Sequence, residues 1–292
     1  MFKILKKNDI TMFDVKELNQ DIISYIEEQG EEYFIEKNNK IVIENLNSID
    51  VISKKLTNDG IVVLPNFLDA SYCLEIEEFL LNCIMNYKKN LNKNLFFEDE
   101  LALIQLNKAK LSGYDHLKNY TKSVINIRNG LDEGMIDIFN VDKLNKDLFI
   151  KVKEFVNSEF MSKLFSMLGI NGKCNNINAY INDNITQTRG FHADSYSTQY
   201  KIFFYLTDIL SFSDGPYTYV RETHKDSIYR TINKNISSNL ENKTETPILP
   251  YSNIHPILGY KGSMVISNQS GSHRGYPQQI NAHRMILSLN IT

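Results

Sequence analysis

The chain is poor in cysteine: Cys73, Cys83 and Cys174 are its only three in 292 residues. An odd count without metal-ligand spacing argues against a disulfide framework or a zinc knuckle, and a reducing compartment is the expected setting. Proline is equally sparse, at 6, and with 13 glycines no long Pro/Gly/Ser linker cuts the chain into separable pieces. Neither sign of charge dominates, because 32 basic and 35 acidic residues leave a formal net charge of −3. A dedicated nucleic-acid binder normally carries a basic excess or stripe, so no nucleic-acid partner is expected. Long apolar runs are missing too: no window approaches about 18 apolar residues, the length a membrane span needs. The opening stretch MFKILKKNDITMF holds lysines but neither a sustained apolar segment nor a small-residue cleavage site. No membrane partner is expected, and cytoplasmic is the simplest localisation.

What is present is ordinary globular material, 42% hydrophobic and 11% aromatic, enough for a sizeable core. The expected organisation is a single domain over residues 1–292, with a helical extension to about residue 58 and a core with supporting helices from about residue 59. The extension, with stretches such as DVKELNQDIISYIEEQGEEYF, reads as short helices forming a cover. Gly60 to Pro65 is a short β-branched run stopped by proline, and Asp69 or Ser71 can cap the helix that follows. In that helix Tyr72, Ile76, Phe79, Leu80, Cys83, Ile84 and Tyr87 recur at three- and four-residue steps. A second helix is expected from Asp147 to Leu168, with Gly169 at its C-terminal turn.

From about Ile177 the period becomes two. Strands are expected at Ile177 to Asn182, Gln199 to Leu206, Tyr217 to Val220, Ser263 to Ser267 and Arg284 to Ile291, and a loop over Asn233 to Asn253. Helices followed by many short strands indicate an α+β chain whose second half is a sandwich or barrel wrapped by the first.

Five of the six histidines (His192, His224, His255, His273 and His283, but not His116) lie in the strand-rich half. His192 and Asp194 are two apart in GFHADSY, so an extended backbone would point both to one face. A non-heme Fe(II) site needs one more histidine from a distant strand, leaving coordination positions free for cosubstrate and oxygen. His273, in SGSHRGYP, fits; His283 competes, but adjoins Arg284 and would point to the opposite face. Arg284, Ile286, Ser288 and Asn290 share one face of the final strand, opposite the apolar Met285, Leu287, Leu289 and Ile291. Such a strand suits a barrel wall around an anionic ligand, since a guanidinium fork grips a carboxylate in bidentate fashion. Gln199, Lys201, Phe203 and Tyr205 likewise place a cation among aromatics.

The succession GFHADSYSTQYKIFFYLTDI, then DGPYTYVRETHK, then GSHRGY with Arg284 beyond it, resembles the phytanoyl-CoA dioxygenase family of Fe(II)/2-oxoglutarate-dependent oxygenases over about residues 175–292. GIVVLPNFLDASYCLEI resembles the family's opening strand and helix more loosely. The resemblance implies a double-stranded β-helix (a jelly roll, cupin-like) with an N-terminal helical layer. It implies iron on His192, Asp194 and His273, and 2-oxoglutarate with its far carboxylate on Arg284. His224 would sit on the Gly-Pro loop and not on the metal.

Glu222-Thr223 replaces the usual Gly-Ser before that histidine, and Ile286 stands where relatives often carry a hydroxyl. Ser288 and Lys201 are therefore the candidates for the secondary 2-oxoglutarate contacts. Asp194 is present where halogenating relatives have a small residue, which favours hydroxylation. The expected activity is oxidation of an unactivated C–H bond of a small metabolite or biosynthetic intermediate, using O2 and releasing succinate and CO2. The alternative is a cupin-like isomerase or ligand-binding barrel without oxygen chemistry. Arg221, Lys225, Arg230 and Lys234 are candidates for an anionic substrate group near the pocket mouth, or a solvated loop.

Overall fold

The structure, a computed structural model, describes residues 12–44, 48–88, 95–98, 101–106, 123–128, 130, 132–172 and 174–291. The expectations for the first eleven residues, for His116 and for the side chain of Tyr87 lie outside the described residues.

Three helices lead the chain: α1 (Met12–Gln29), α2 (Glu31–Asn38) and α3 (Ile49–Asp59). Ser48 starts α3 by accepting a hydrogen bond from the Val51 N–H, and Gly60, at φ 79°, ends it in the left-handed conformation that lacks a steric cost only for glycine. The apolar face of α1 and α2 (Ile22, Ile26 and Phe34) packs on Phe191, Val220 and Ile254 of the strand-rich half. α1 and α2 thus pack on Phe191, the residue before His192. Strand β1 (Ile61–Leu64) is followed by α4 (Ala70–Lys88), and the Cys73 N–H bonds the Asp69 carbonyl, which puts Asp69 at the N-cap position.

The helix expected from Asp147 to Leu168 is two helices, α5 (Ile150–Val156) and α6 (Glu159–Met167). The break comes from Ser158, whose hydroxyl accepts from the Met161 N–H at 3.3 Å and restarts the helix as an N-cap. The apolar stripe survives because Val152, Val156, Met161 and Leu164 all face the same core. Gly169 ends α6 as expected, with φ 74°.

A nine-stranded sheet runs in the order β1-β10-β7-β12-β6-β5-β4-β3-β2, and a three-stranded sheet in the order β11-β8-β9. Four strands, β2 (Leu95–Glu98), β3 (Leu101–Leu106), β4 (Ser123–Arg128) and β5 (Ile136–Phe139), arise before residue 177 and extend the large sheet, correcting the expected division into helices and then strands. The expected strands are β6 (Cys174–Asp183), β7 (Tyr200–Tyr205), β8 (Tyr217–Val220), β10 (Met264–Asn268) and β12 (His283–Ile291); β9 (Ile254–Ile257) and β11 (His273–Gly275) complete the small sheet. Pairing is antiparallel except between β3 and β4. The expected loop over Asn233 to Asn253 begins inside a helix, α7 (Ile228–Ser237), which Ser227 caps and Asn233 ties to both backbone groups of Ile248.

Alternation separates two cores. Ile202, Phe204, Met285, Leu287 and Leu289 leave the outer face of the large sheet to pack against α3 to α6. Phe203, Tyr205, Tyr217, Val265 and Ile286 point inward between the two sheets. This is the jelly-roll arrangement, an α+β fold with its ligand space inside the roll. Among the described residues no helix is long and apolar enough to cross a membrane.

Candidate metal centre

His192 and His273 are brought together by backbone pairing. The His192 N–H donates to the His273 carbonyl at 3.0 Å and the His273 N–H returns the bond at 2.9 Å, an isolated antiparallel bridge between two distant segments. Residues facing each other in such a bridge project side by side, and the two imidazole centroids lie 4.7 Å apart. Asp194 follows, with its N–H on the Gln269 carbonyl at 3.0 Å. Its Oδ1 lies 3.6 Å from His273 Nε2 and 3.9 Å from His192 Nε2. Each of the three residues offers a ligand atom within 4.8 Å of the others, and among the described residues this is the group of His, Cys, Asp or Glu so disposed.

The rings are oriented for coordination. His192 Nδ1 meets the Gly190 carbonyl at 2.8 Å and His273 Nδ1 meets the Gly271 carbonyl at 3.0 Å. A carbonyl can only accept, so both Nδ1 atoms carry a proton, and both Nε2 atoms are turned toward Asp194 Oδ1. The Gly190 segment is itself anchored by α1, where Asn19 Oδ1 accepts from the Phe191 N–H at 2.9 Å. Burial, helped by Arg189 and His273, holds the His192 imidazole well below its usual pKa and therefore neutral. Burial pushes the Asp194 carboxyl up, but Lys201 and then His273 outweigh it and hold the group well below the usual carboxylate range. Two imidazoles and one carboxylate are a donor set suited to a divalent transition metal with open positions.

A cavity of about 580 Å³ opens beside these residues. Arg284 lies on its wall, 6% exposed, where β12 pairs with Asn182 of β6. One guanidinium nitrogen donates to the Gly215 carbonyl, while Nε has no partner. No carboxylate among the described residues comes within ion-pair distance, and burial lowers the guanidinium pKa to about 10. A buried cation without a counter-charge fits the far carboxylate of a dicarboxylic acid. Lys201 also lines the cavity, but its ammonium has a partner in the protein, Asp194 Oδ2 at 2.6 Å. Ser288 is fully buried beside Phe203 and Asn178, with its hydroxyl unpartnered, and is not part of the cavity wall.

The remaining histidines stand apart. His224 Nε2 contacts the Thr57 carbonyl at 3.1 Å, His255 is buried against Asn38, and His283 pairs with Asp183 at the start of β12. Of the four cations weighed as mouth residues or a solvated loop, none lines the cavity: Arg221 is paired with Asp59 at 2.6 Å and Arg230 donates to the Ser270 carbonyl at 3.0 Å. Different residues take that position. Arg128 is bound to Asp137 and Asp132, Arg189 to Glu245, and Arg274 adjoins His273. Only the adjacency of Arg274 to His273 was a signal in the sequence.

No family model and no curated protein matches the chain. Solved structures do. AviO1 from Streptomyces viridochromogenes Tue57 aligns over 86% of this chain and 96% of its own, with 11% identity and a TM-score of 0.53. SnoK, a non-heme alpha ketoglutarate dependent carbocyclase from nogalamycin biosynthesis, aligns over 84% of each chain, with 13% identity and a TM-score of 0.52. At such identities the likeness is one of fold, and this chain shares the jelly roll of those proteins.

Proposed function

We propose that this chain is an Fe(II)/2-oxoglutarate-dependent dioxygenase that hydroxylates, or otherwise oxidises, an unactivated C–H bond of a small metabolite or biosynthetic intermediate. The observation that carries the reading is the convergence of His192, Asp194 and His273 beside a cavity whose wall holds a buried arginine without a counter-charge. The fold of SnoK, an alpha ketoglutarate dependent enzyme, supports the same reading. His192, Asp194 and His273 would hold the iron, and Arg284 would neutralise the far carboxylate of 2-oxoglutarate in a site where an unpaired charge is costly. Iron with 2-oxoglutarate and O2 supplies the oxidising power, with succinate and CO2 as by-products. The protein's own part is to orient both imidazoles through their Nδ1 protons, to keep Asp194 ionised, and to wall the reacting C–H bond away from water.

Lys201 has a defined place in this scheme. By holding Asp194 Oδ2, it leaves Oδ1 turned toward the two histidines. Lys201→Met is expected to weaken Fe(II) binding by about 10- to 100-fold, the usual cost of losing a partner behind a ligand. Titration with Fe(II) under argon measures this. A variant with normal metal affinity and only a raised 2-oxoglutarate requirement would assign the lysine to the cosubstrate instead.

The reaction class is tested by incubating the purified protein with 2-oxoglutarate in air, with and without Fe(II). Iron-dependent succinate formation, abolished by a chelator, is the expected result. A protein that binds metal but forms no succinate would instead be a cupin-like isomerase or binding barrel.

A further inference from the structure

The cavity wall carries five basic side chains: Arg128, Arg189, Lys201, Arg274 and Arg284. Three have acidic partners within the protein. Arg128 lies 2.9 Å from Asp137 and 2.8 Å from Asp132, Arg189 lies 3.1 Å from Glu245, and Lys201 lies 2.6 Å from Asp194. Arg284 is taken by 2-oxoglutarate in the reading above. That leaves Arg274, for which no ion pair forms among the described residues.

Arg274 is 2% exposed, yet it is not loosely placed. Its Nη2 donates to the Thr188 hydroxyl at 2.8 Å, its Nε to the Gly275 carbonyl at 3.2 Å, and its guanidinium stacks 5.5 Å from the Phe191 ring centroid. Thr188 in turn donates to the Gly275 carbonyl at 2.8 Å, so the fork is held by a closed set of neutral contacts. The remaining nitrogen, Nη1, has no partner. The acidic groups that act on it from a distance, Asp132 and Glu245, are already paired with Arg128 and Arg189, and neutral acceptors orient a guanidinium without cancelling its charge, so the desolvated cation favours an anion. Arg274 follows His273 in β11 and lines the same cavity as His192, Asp194 and His273, so an anion held there shares the space that the metal centre faces.

We propose that the substrate of this cavity carries an oxyanion, a carboxylate or a phosphate group, and that Arg274 receives it on the wall of the cavity that holds the metal centre. The proposal rests on the oxygenase reading only in that 2-oxoglutarate removes Arg284 from competition. Arg274 would then set which end of the substrate lies nearest the iron, because the anion anchors one end and the cavity directs the rest.

The test uses the full chain loaded with Ni(II) and 2-oxoglutarate, titrated calorimetrically with benzoate and with inorganic phosphate, and with benzamide as the neutral match. At least one anion is expected to bind about tenfold or more tighter than benzamide, and which one does so distinguishes a carboxylate from a phosphate substrate. Arg274→Gln is expected to abolish the preference while leaving 2-oxoglutarate affinity within about twofold; Arg274→Lys, which keeps the charge, should restore part of it. Equal binding of anions and benzamide by the wild type overturns the proposal, as does a preference that persists in Arg274→Gln. Failure of 2-oxoglutarate to bind at all would instead overturn the oxygenase reading. In that case the same titration in an Arg284→Met background still reads Arg274 alone.

Discussion

Asp194→Ala is expected to lower Fe(II) affinity by more than about 100-fold, since even the groups behind metal ligands are worth about 10- to 100-fold. The substitution removes the single carboxylate of the triad and leaves two imidazoles, whose Nε2 atoms have no further anion to share a divalent cation with. It also strands Lys201, whose ammonium would then face the emptied position and repel an incoming cation. Both effects act in the same direction, which is why this variant should show the largest loss. Succinate formation should disappear with the metal. Competitive titration against a chromophoric chelator measures the affinity directly, and a value close to the wild type would remove Asp194 from the site.

The second large effect is expected at Arg284. Truncating one partner of a buried, hydrogen-bonded charge pair costs about 2–5 kcal/mol, so Arg284→Met should weaken 2-oxoglutarate binding roughly 30- to 5,000-fold. Metal affinity should not change, because the arginine has no contact with the triad. The unliganded protein should respond in the opposite sense. Arg284 is buried without a counter-charge, and replacing such a group by an apolar one of similar length removes a desolvation cost. The Tm of the ligand-free variant should therefore equal or exceed that of the wild type, even as its 2-oxoglutarate requirement rises. A variant that binds 2-oxoglutarate normally would assign the dicarboxylate to another cation.

The parts of this architecture that were readable in the sequence are those with a short-range pattern. Strand β7 alternates Lys201, Phe203 and Tyr205 with Ile202 and Phe204, and the structure divides them between the cavity side and the helix side. His192, Asp194 and His273 were readable as ligand types in a given order. Their convergence depends on a backbone bridge between segments some eighty residues apart, which no local period encodes. Strands β4 and β5 were unreadable for a different reason. Their buried positions include Asn126 and Asp137, and Asp137 accepts across the pair from both Asn126 and Arg128, so polar residues stand where a strand pattern calls for apolar ones. The division of α5 from α6 was hidden because the apolar stripe continues in phase across Ser158. Arg274 could be placed next to a candidate ligand in the sequence, but its lack of an acidic partner is a property of the folded cavity alone.

The paired backbone bonds between His192 and His273 have a mechanical consequence. The two imidazole-bearing segments are clipped to one another, and each is also paired to the roll, His273 with Tyr219 of β8 and His192 with Glu245, so the spacing of the two rings is fixed by three backbone pairings at once. Their mutual separation is then insensitive to loop motion elsewhere. A one-residue insertion between Gly271 and His273 would turn one ring to the far side of the strand, because side chains alternate along an extended backbone.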